Sequence, residues 1–90
     1  MGQARKPVIE KGRGRKAVRE VLYEASGYWR NLRILSDGIE RLTGTQPDDS
    51  QILQWIEWNT AEGHVEHRRD TEYDEDQWKI TRHGIAEEEL

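Results

Sequence analysis

Three histidines, a run of acids and a pair of glutamines are the side chains of this 90-residue chain whose types and spacing bear on chemistry. His64 and His67 lie three apart in an alternating stretch, Gly63-His64-Val65-Glu66-His67-Arg68-Arg69. On a strand that spacing turns the two rings to opposite faces, so they cannot simply share a metal ion. His83 follows in a turn after Thr81, and all three histidines are expected at the surface. Asp70, Glu72, Asp74, Glu75 and Asp76 share only the charge of a calcium loop, without its glycine and evenly spaced oxygen ligands. A solvated acidic loop and no metal are expected. Cysteine is absent, which removes thiolate sites, disulfides and cysteine nucleophiles together. No glycine-rich phosphate loop, nucleophile elbow or paired acid and base is present. A protein that is not an enzyme and carries no cofactor is the expectation.

What remains is recognition. The formal net charge of −4 hides two opposite parts. Residues 1–16 set Arg5, Lys6, Lys11, Arg13, Arg15 and Lys16 against Glu10 alone, whereas residues 17–90 set eight basic residues against seventeen acids. A flexible basic arm over residues 1–14 on an acidic domain over 15–90 is the plain reading. The arm carries Gly2, Pro7, Gly12 and Gly14, with only Val8-Ile9 as an apolar pair, so no helix or strand period survives there. Such arms either solubilise a domain or meet phosphates beside one that binds DNA.

These groups need elements to position them. Charged residues make up 36% of the chain, yet its four tryptophans and its aliphatic stripes are too many for a disordered one. No window approaches a membrane span, and a cytoplasmic protein of a prokaryote or its phage is the default. Val18, Val21, Leu22 and Ala25 give a first helix from about Arg15 to the breaker Ser26-Gly27. Leu32, Leu35, Ile39 and Leu42 form the stripe of a second. Either it runs over 29–43, or an extended piece ends near Leu35 and Ser36 caps two turns; Gly44 closes both versions. Pro47-Asp48-Asp49 starts a third helix with Ile52 and Ile56 buried. One of Trp55 and Trp58 must then lie at the edge of that stripe. Residues 63–69 and 77–81 read as a hairpin joined over 70–76, with Trp78 and Ile80 on one face. Residues 85–90 leave room for a turn or two of helix. The fold class is α+β, mainly α: three helices, a C-terminal hairpin and a short terminal helix.

That order resembles a winged helix-turn-helix domain. Gly63-His64-Val65-Glu66 stands where a recognition helix ends in glycine and an apolar residue opens the wing, with Ile52 and Ile56 at the usual apolar positions before it. Trp78-Lys79-Ile80-Thr81-Arg82-His83-Gly84 follows the isoleucine-threonine-x-x-glycine turn that precedes a last helix, similar to regulators of the MarR and PadR families. The resemblance covers about residues 15–90. It implies a small double-stranded-DNA-binding protein that regulates transcription, and a homodimer, although the terminal helix is too short to argue pairing. Phosphate contacts would come from Arg5, Lys6, Arg13, Arg15, Lys16, Arg30, Arg33, Arg68, Arg69, Lys79 and Arg82, with Gln51 and Gln54 near bases.

The chain departs from that pattern in its charge. Residues 47–62 hold Asp48, Asp49, Glu57 and Glu62 and neither lysine nor arginine, and the wing loop is equally acidic. The segment from Leu42 to Ile52 is also longer than the usual tight turn. A second function class follows: a winged module that binds another protein through Asp48, Asp49, Tyr73 and whichever of Trp55 and Trp58 is exposed. DNA binding is placed first on the order of the elements, against the charges.

Overall fold

A computed structural model describes residues 8–90, so Arg5, Lys6 and the first half of the expected arm lie outside the described residues. The first helix, α1, is Lys11–Glu24, and it begins before the expected Arg15. The boundary placed after residue 14 therefore falls inside a helix. The reason is packing: Ile9, Gly14, Ala17, Val18, Val21 and Leu22 are all buried. Gly14 lies directly beneath the Trp55 indole, where a Cβ would run into the ring. Gly12 and Gly14, read as part of the arm, both sit within the helix, and at Gly14 the contact with Trp55 outweighs its low propensity.

Strand β1 (Arg30–Asn31) and helix α2 (Leu32–Thr43) combine the two readings of the second segment. The extended piece is only two residues long. The cap is Asn31, whose Oδ1 accepts the Ile34 N–H at 2.9 Å, and not Ser36, which is buried inside the helix. Gly44 ends α2 at φ 75°, a left-handed conformation that glycine adopts without strain. Helix α3 is Asp49–Ala61, burying Ile52, Trp55, Ile56 and Asn59.

Strands β2 (Val65–Asp70) and β3 (Glu75–Ile80) pair antiparallel, and β1 adds to the other side of β3, giving the order β1-β3-β2. The expected loop over 70–76 shrinks to the turn 71–74. Arg69 pairs with Asp76 and Asp70 with Glu75, so residues that read as loop extend the ladder. The short helix α4 (Arg82–Glu88) is capped by Thr81, whose Oγ1 accepts the Gly84 N–H at 3.0 Å and donates to Gly63 O. That hydroxyl ties the end of the hairpin to its beginning.

Among the described residues the fold is thus α+β and mainly α, with four helices, a three-stranded antiparallel sheet and a C-terminal hairpin, an arrangement compatible with a winged-helix layout. Val65, Trp78 and Ile80 turn one face of the sheet onto the helices and close a core with Leu22, Leu35, Ile39, Ile52 and Ile56. Among the described residues no helix is long and apolar enough to cross a membrane.

Candidate nucleic-acid interface

Helix α3 is held against α1 by one buried amide. Asn59 Nδ2 donates to Arg15 O at 3.0 Å and to Trp55 O at 2.8 Å, while its Oδ1 accepts Arg19 Nη1 at 3.1 Å. With three bonds made, this fully buried side chain is satisfied, and it fixes which part of α1 lies beside α3. The part so fixed is basic. The Arg15 guanidinium lies 4.3 Å from the centre of the Trp58 ring, a cation–π stack at the edge of α3. Trp58 is the tryptophan left at the edge of the stripe, half-buried. Trp55 is 3% exposed and belongs to the core, which removes it from the candidate partner anchors.

Ser50, Gln54, Glu57 and Ala61 form the outer stripe of α3, all exposed, with Gln51 half-buried beside it. Glu57 is the one charged group in that stripe. Asp48 and Asp49 stand exposed at the N-terminal end of the helix and Glu62 at its other end. Arg33, exposed in the first turn of α2, borders a cleft shared with Gln46 and Asp49, and a second one with Leu53 and Arg69.

The other cations divide by partner. Arg13 pairs with Glu20 at 3.1 Å, Lys16 with Glu20 and Glu88, and Arg19 with Glu88 at 2.9 Å. Arg69 is held by Asp74 at 2.8 Å and Asp76 at 3.2 Å, and Lys79 by Glu66 at 3.4 Å. Lys11, Arg15, Arg30, Arg33, Arg68 and Arg82 have no carboxylate partner among the described residues. Strand alternation separates neighbours in this set. With Val65 and Trp78 facing the core, Arg68 and Lys79 point from the opposite face, where both stack on Trp29 at 4.6 and 4.9 Å. Arg68 Nε also donates to Gln77 Oε1 at 2.9 Å. Arg30 lies near Tyr28, and Arg82 is exposed at the start of α4. The structure therefore brings Arg15, Arg33, Gln51 and Gln54 to α3 and leaves Arg68, Lys79 and Arg30 on or beside the sheet.

The histidines correct one expectation. His64 is 6% exposed and not at the surface: the turn at Gly63 (φ 79°) carries it under α4, where its ring stacks on His83 at 4.8 Å and tilts against Trp58 at 6.1 Å. Its Nδ1 is buried without a hydrogen-bond partner. Burial, then the nearby Arg19 and His83, hold its pKa below the ordinary histidine value. His67 is exposed, with Nε2 2.8 Å from Asp76 Oδ1. Hydrogen bonding to His67, then the charge of Arg69, lowers the Asp76 pKa against its own desolvation.

On its far side α3 faces the hairpin across an open groove of about 540 Å³, lined by Leu53, Ile56, Glu57, Thr60, Ala61, His67, Asp76 and Trp78. The exposure of Leu53 and the groove beside it were not legible in the sequence, because neither Leu53's place next to Ile52 on α3 nor its own type shows where the hairpin stands. Tyr73, at 71% exposure, stands in the turn of the wing. Comparison with protein families, curated proteins and solved structures finds no match to this chain.

Proposed function

We propose that this chain is a small double-stranded-DNA-binding protein and regulates transcription, docking the outer stripe of α3 against the duplex. The observation that carries the proposal is the stacking of Arg15 on Trp58, with Asn59 bonded to the Arg15 carbonyl. It holds the basic end of the chain, otherwise a distant arm, along one edge of α3. Arg33 borders the N-terminal half of the same helix. Both arginines are without a carboxylate partner among the described residues, so a phosphate would not have to displace an acid from either. Gln54, exposed in the stripe, has the paired acceptor and donor that read adenine in the major groove. Glu57 opposes the phosphates, and affinity must come from the basic flank.

The test is binding of a fluorescent random duplex by the full chain, followed by anisotropy across a salt series. Saturable binding that weakens with salt is expected. Arg15→Ala and Arg33→Ala should each weaken it for any sequence and flatten the salt slope by about one unit. Removing residues 2–7, which carry Arg5 and Lys6, should flatten it by about two more. Truncation at residue 16 would not serve, because it removes Ile9, Gly14 and the first turns of α1. No binding even at low salt, or binding indifferent to both arginines, would overturn the proposal.

A further inference from the structure

We propose that the groove between α3 and the hairpin docks a basic segment of a partner protein, which seats an aliphatic side chain on Leu53 and Trp78. This goes beyond the DNA reading, because it concerns the hairpin side of α3, which shares only Glu57 and Ala61 with the outer stripe, and a different class of partner. The floor is apolar: Ile56 and Trp78 belong to the core, and Leu53, at 38% exposure, and Ala61 extend it toward solvent. The neighbouring outer stripe, Ser50, Gln54, Glu57 and Ala61, carries no large apolar side chain. An aliphatic side chain left half in water beside a concave surface is where a partner gains most by burial.

The charge around that floor decides the occupant. Glu57 stands on the helix side without a cationic partner among the described residues. Asp76 stands on the hairpin side, and the groove continues past Leu53 to Asp74 and Glu75. Arg69 is engaged by Asp74 and Asp76, which leaves Glu57 and Glu75 as the groove's carboxylates without a cation among the described residues, and acids still outnumber lysine and arginine along it. Of the arginines only Arg33, at the far end, is unpaired. A phosphate backbone would meet repulsion along most of this length, and so would a second copy, since two-fold pairing through the groove sets Glu57 of each copy near the acids of the other. A lysine- or arginine-rich segment meets complementary charge, with apolar anchors spaced for one face of a helix.

The probe is a fluorescein-labelled helical peptide of lysine and leucine, with the leucines on one face, titrated into the full chain. Saturable binding is expected, and replacing the leucines by serine should abolish it. Leu53→Lys removes the anchor and reverses the local charge, and should weaken binding by about tenfold or more. Ala61→Lys, at an exposed position that asks nothing of the core, should do the same, with folding of both variants checked by circular dichroism. Arg15→Ala should leave peptide binding unchanged, so this proposal and the DNA proposal fail separately. Three results would overturn it: no saturable binding, equal binding of the serine peptide, or full affinity in both groove variants. Self-association that Leu53→Lys abolishes would assign the groove to a second copy instead.

Discussion

A methyl group added at Gly14 and another added two residues earlier at Gly12 should shift stability in opposite directions. Both glycines lie in α1, and in an exposed helix interior alanine is favoured over glycine by about 0.8–1 kcal/mol. Gly12 is exposed, and the only atom near its added Cβ is Glu10 Oε1 at 3.9 Å. Gly12→Ala should therefore stabilise by about 0.5–1 kcal/mol, toward the lower end because it sits in the first turn. At Gly14 the new Cβ would overlap Trp55 Cε2 and Cζ2 and lie 2.6 Å from Cδ2. The indole cannot yield freely, since it is 3% exposed on a helix that also buries Ile52 and Ile56. Overpacking of this kind costs about 1–3 kcal/mol, which exceeds the gain in propensity. The net expectation is a loss of up to about 2 kcal/mol, at roughly 4–8 °C of Tm per kcal/mol in a domain of this size. Thermal and urea unfolding, followed by far-ultraviolet and near-ultraviolet circular dichroism, would measure both. If Gly14→Ala raises Tm as Gly12→Ala does, Trp55 does not rest on α1. The basic end of the chain would then not be fixed beside α3, and the DNA proposal would lose the observation that carries it.

Asn59→Ala should cost about 2–3 kcal/mol in urea unfolding, because it leaves the Arg15 carbonyl and Arg19 short of a buried partner; a loss under 0.5 kcal/mol would mean that water replaces the amide. Stability should also fall with acidification through His64. Its folded pKa is lowered, so the unfolded chain takes up the proton first as pH drops. This contribution is complete above about pH 6.5, the ordinary histidine value, and declines below it toward the folded pKa. Asp76, whose pKa is also lowered, acts in a separate window below about pH 4. Urea midpoints that fall between pH 7.5 and 5 in the native chain, and fall less in His64→Phe, would agree; a midpoint that rises on acidification would refute the assignment.

The parts of the fold legible in the sequence were those whose signal is local. Ile52 and Ile56 mark one face of α3, Gly44 supplies the left-handed end of α2, and Thr81 with Gly84 marks the turn into α4. What was not legible depends on a distant partner. Gly12 and Gly14 read as part of a flexible arm until the indole of Trp55, forty-one positions along the chain from Gly14, fills the space that Gly14 leaves. The charged ends of the hairpin read as loop because Asp70, Glu75 and Asp76 are polar; cross-strand pairing of Arg69 with Asp76 and of Asp70 with Glu75 makes them strand. His64 read as a surface residue because alternation along a strand gives a face and says nothing of α4, which covers it.

The same dependence governs the candidate site, and there it changes the argument about charge. Sequence gives the sum of the charges, but binding depends on which of them are already paired. Arg68 and Arg69 show the difference within one dipeptide. Arg69 is clamped by two carboxylates, and turning it to a phosphate would strand Asp74 and Asp76 beside that same phosphate. Arg68 keeps its charge uncompensated by any acid, yet it leaves from the face of the sheet turned away from α3. The wing base, which the resemblance makes a phosphate contact, therefore offers α3 little positive charge from either residue. Arg15 and Arg33, not the wing, have to supply it. Arg15 approaches α3 from α1, whereas Arg33 borders the cleft that also holds Leu53 and the hairpin acids, so the α1 flank is the more positive of the two. A duplex approaching this helix would be drawn toward α1 and repelled from the hairpin, and its axis would be displaced from the position that a basic wing enforces.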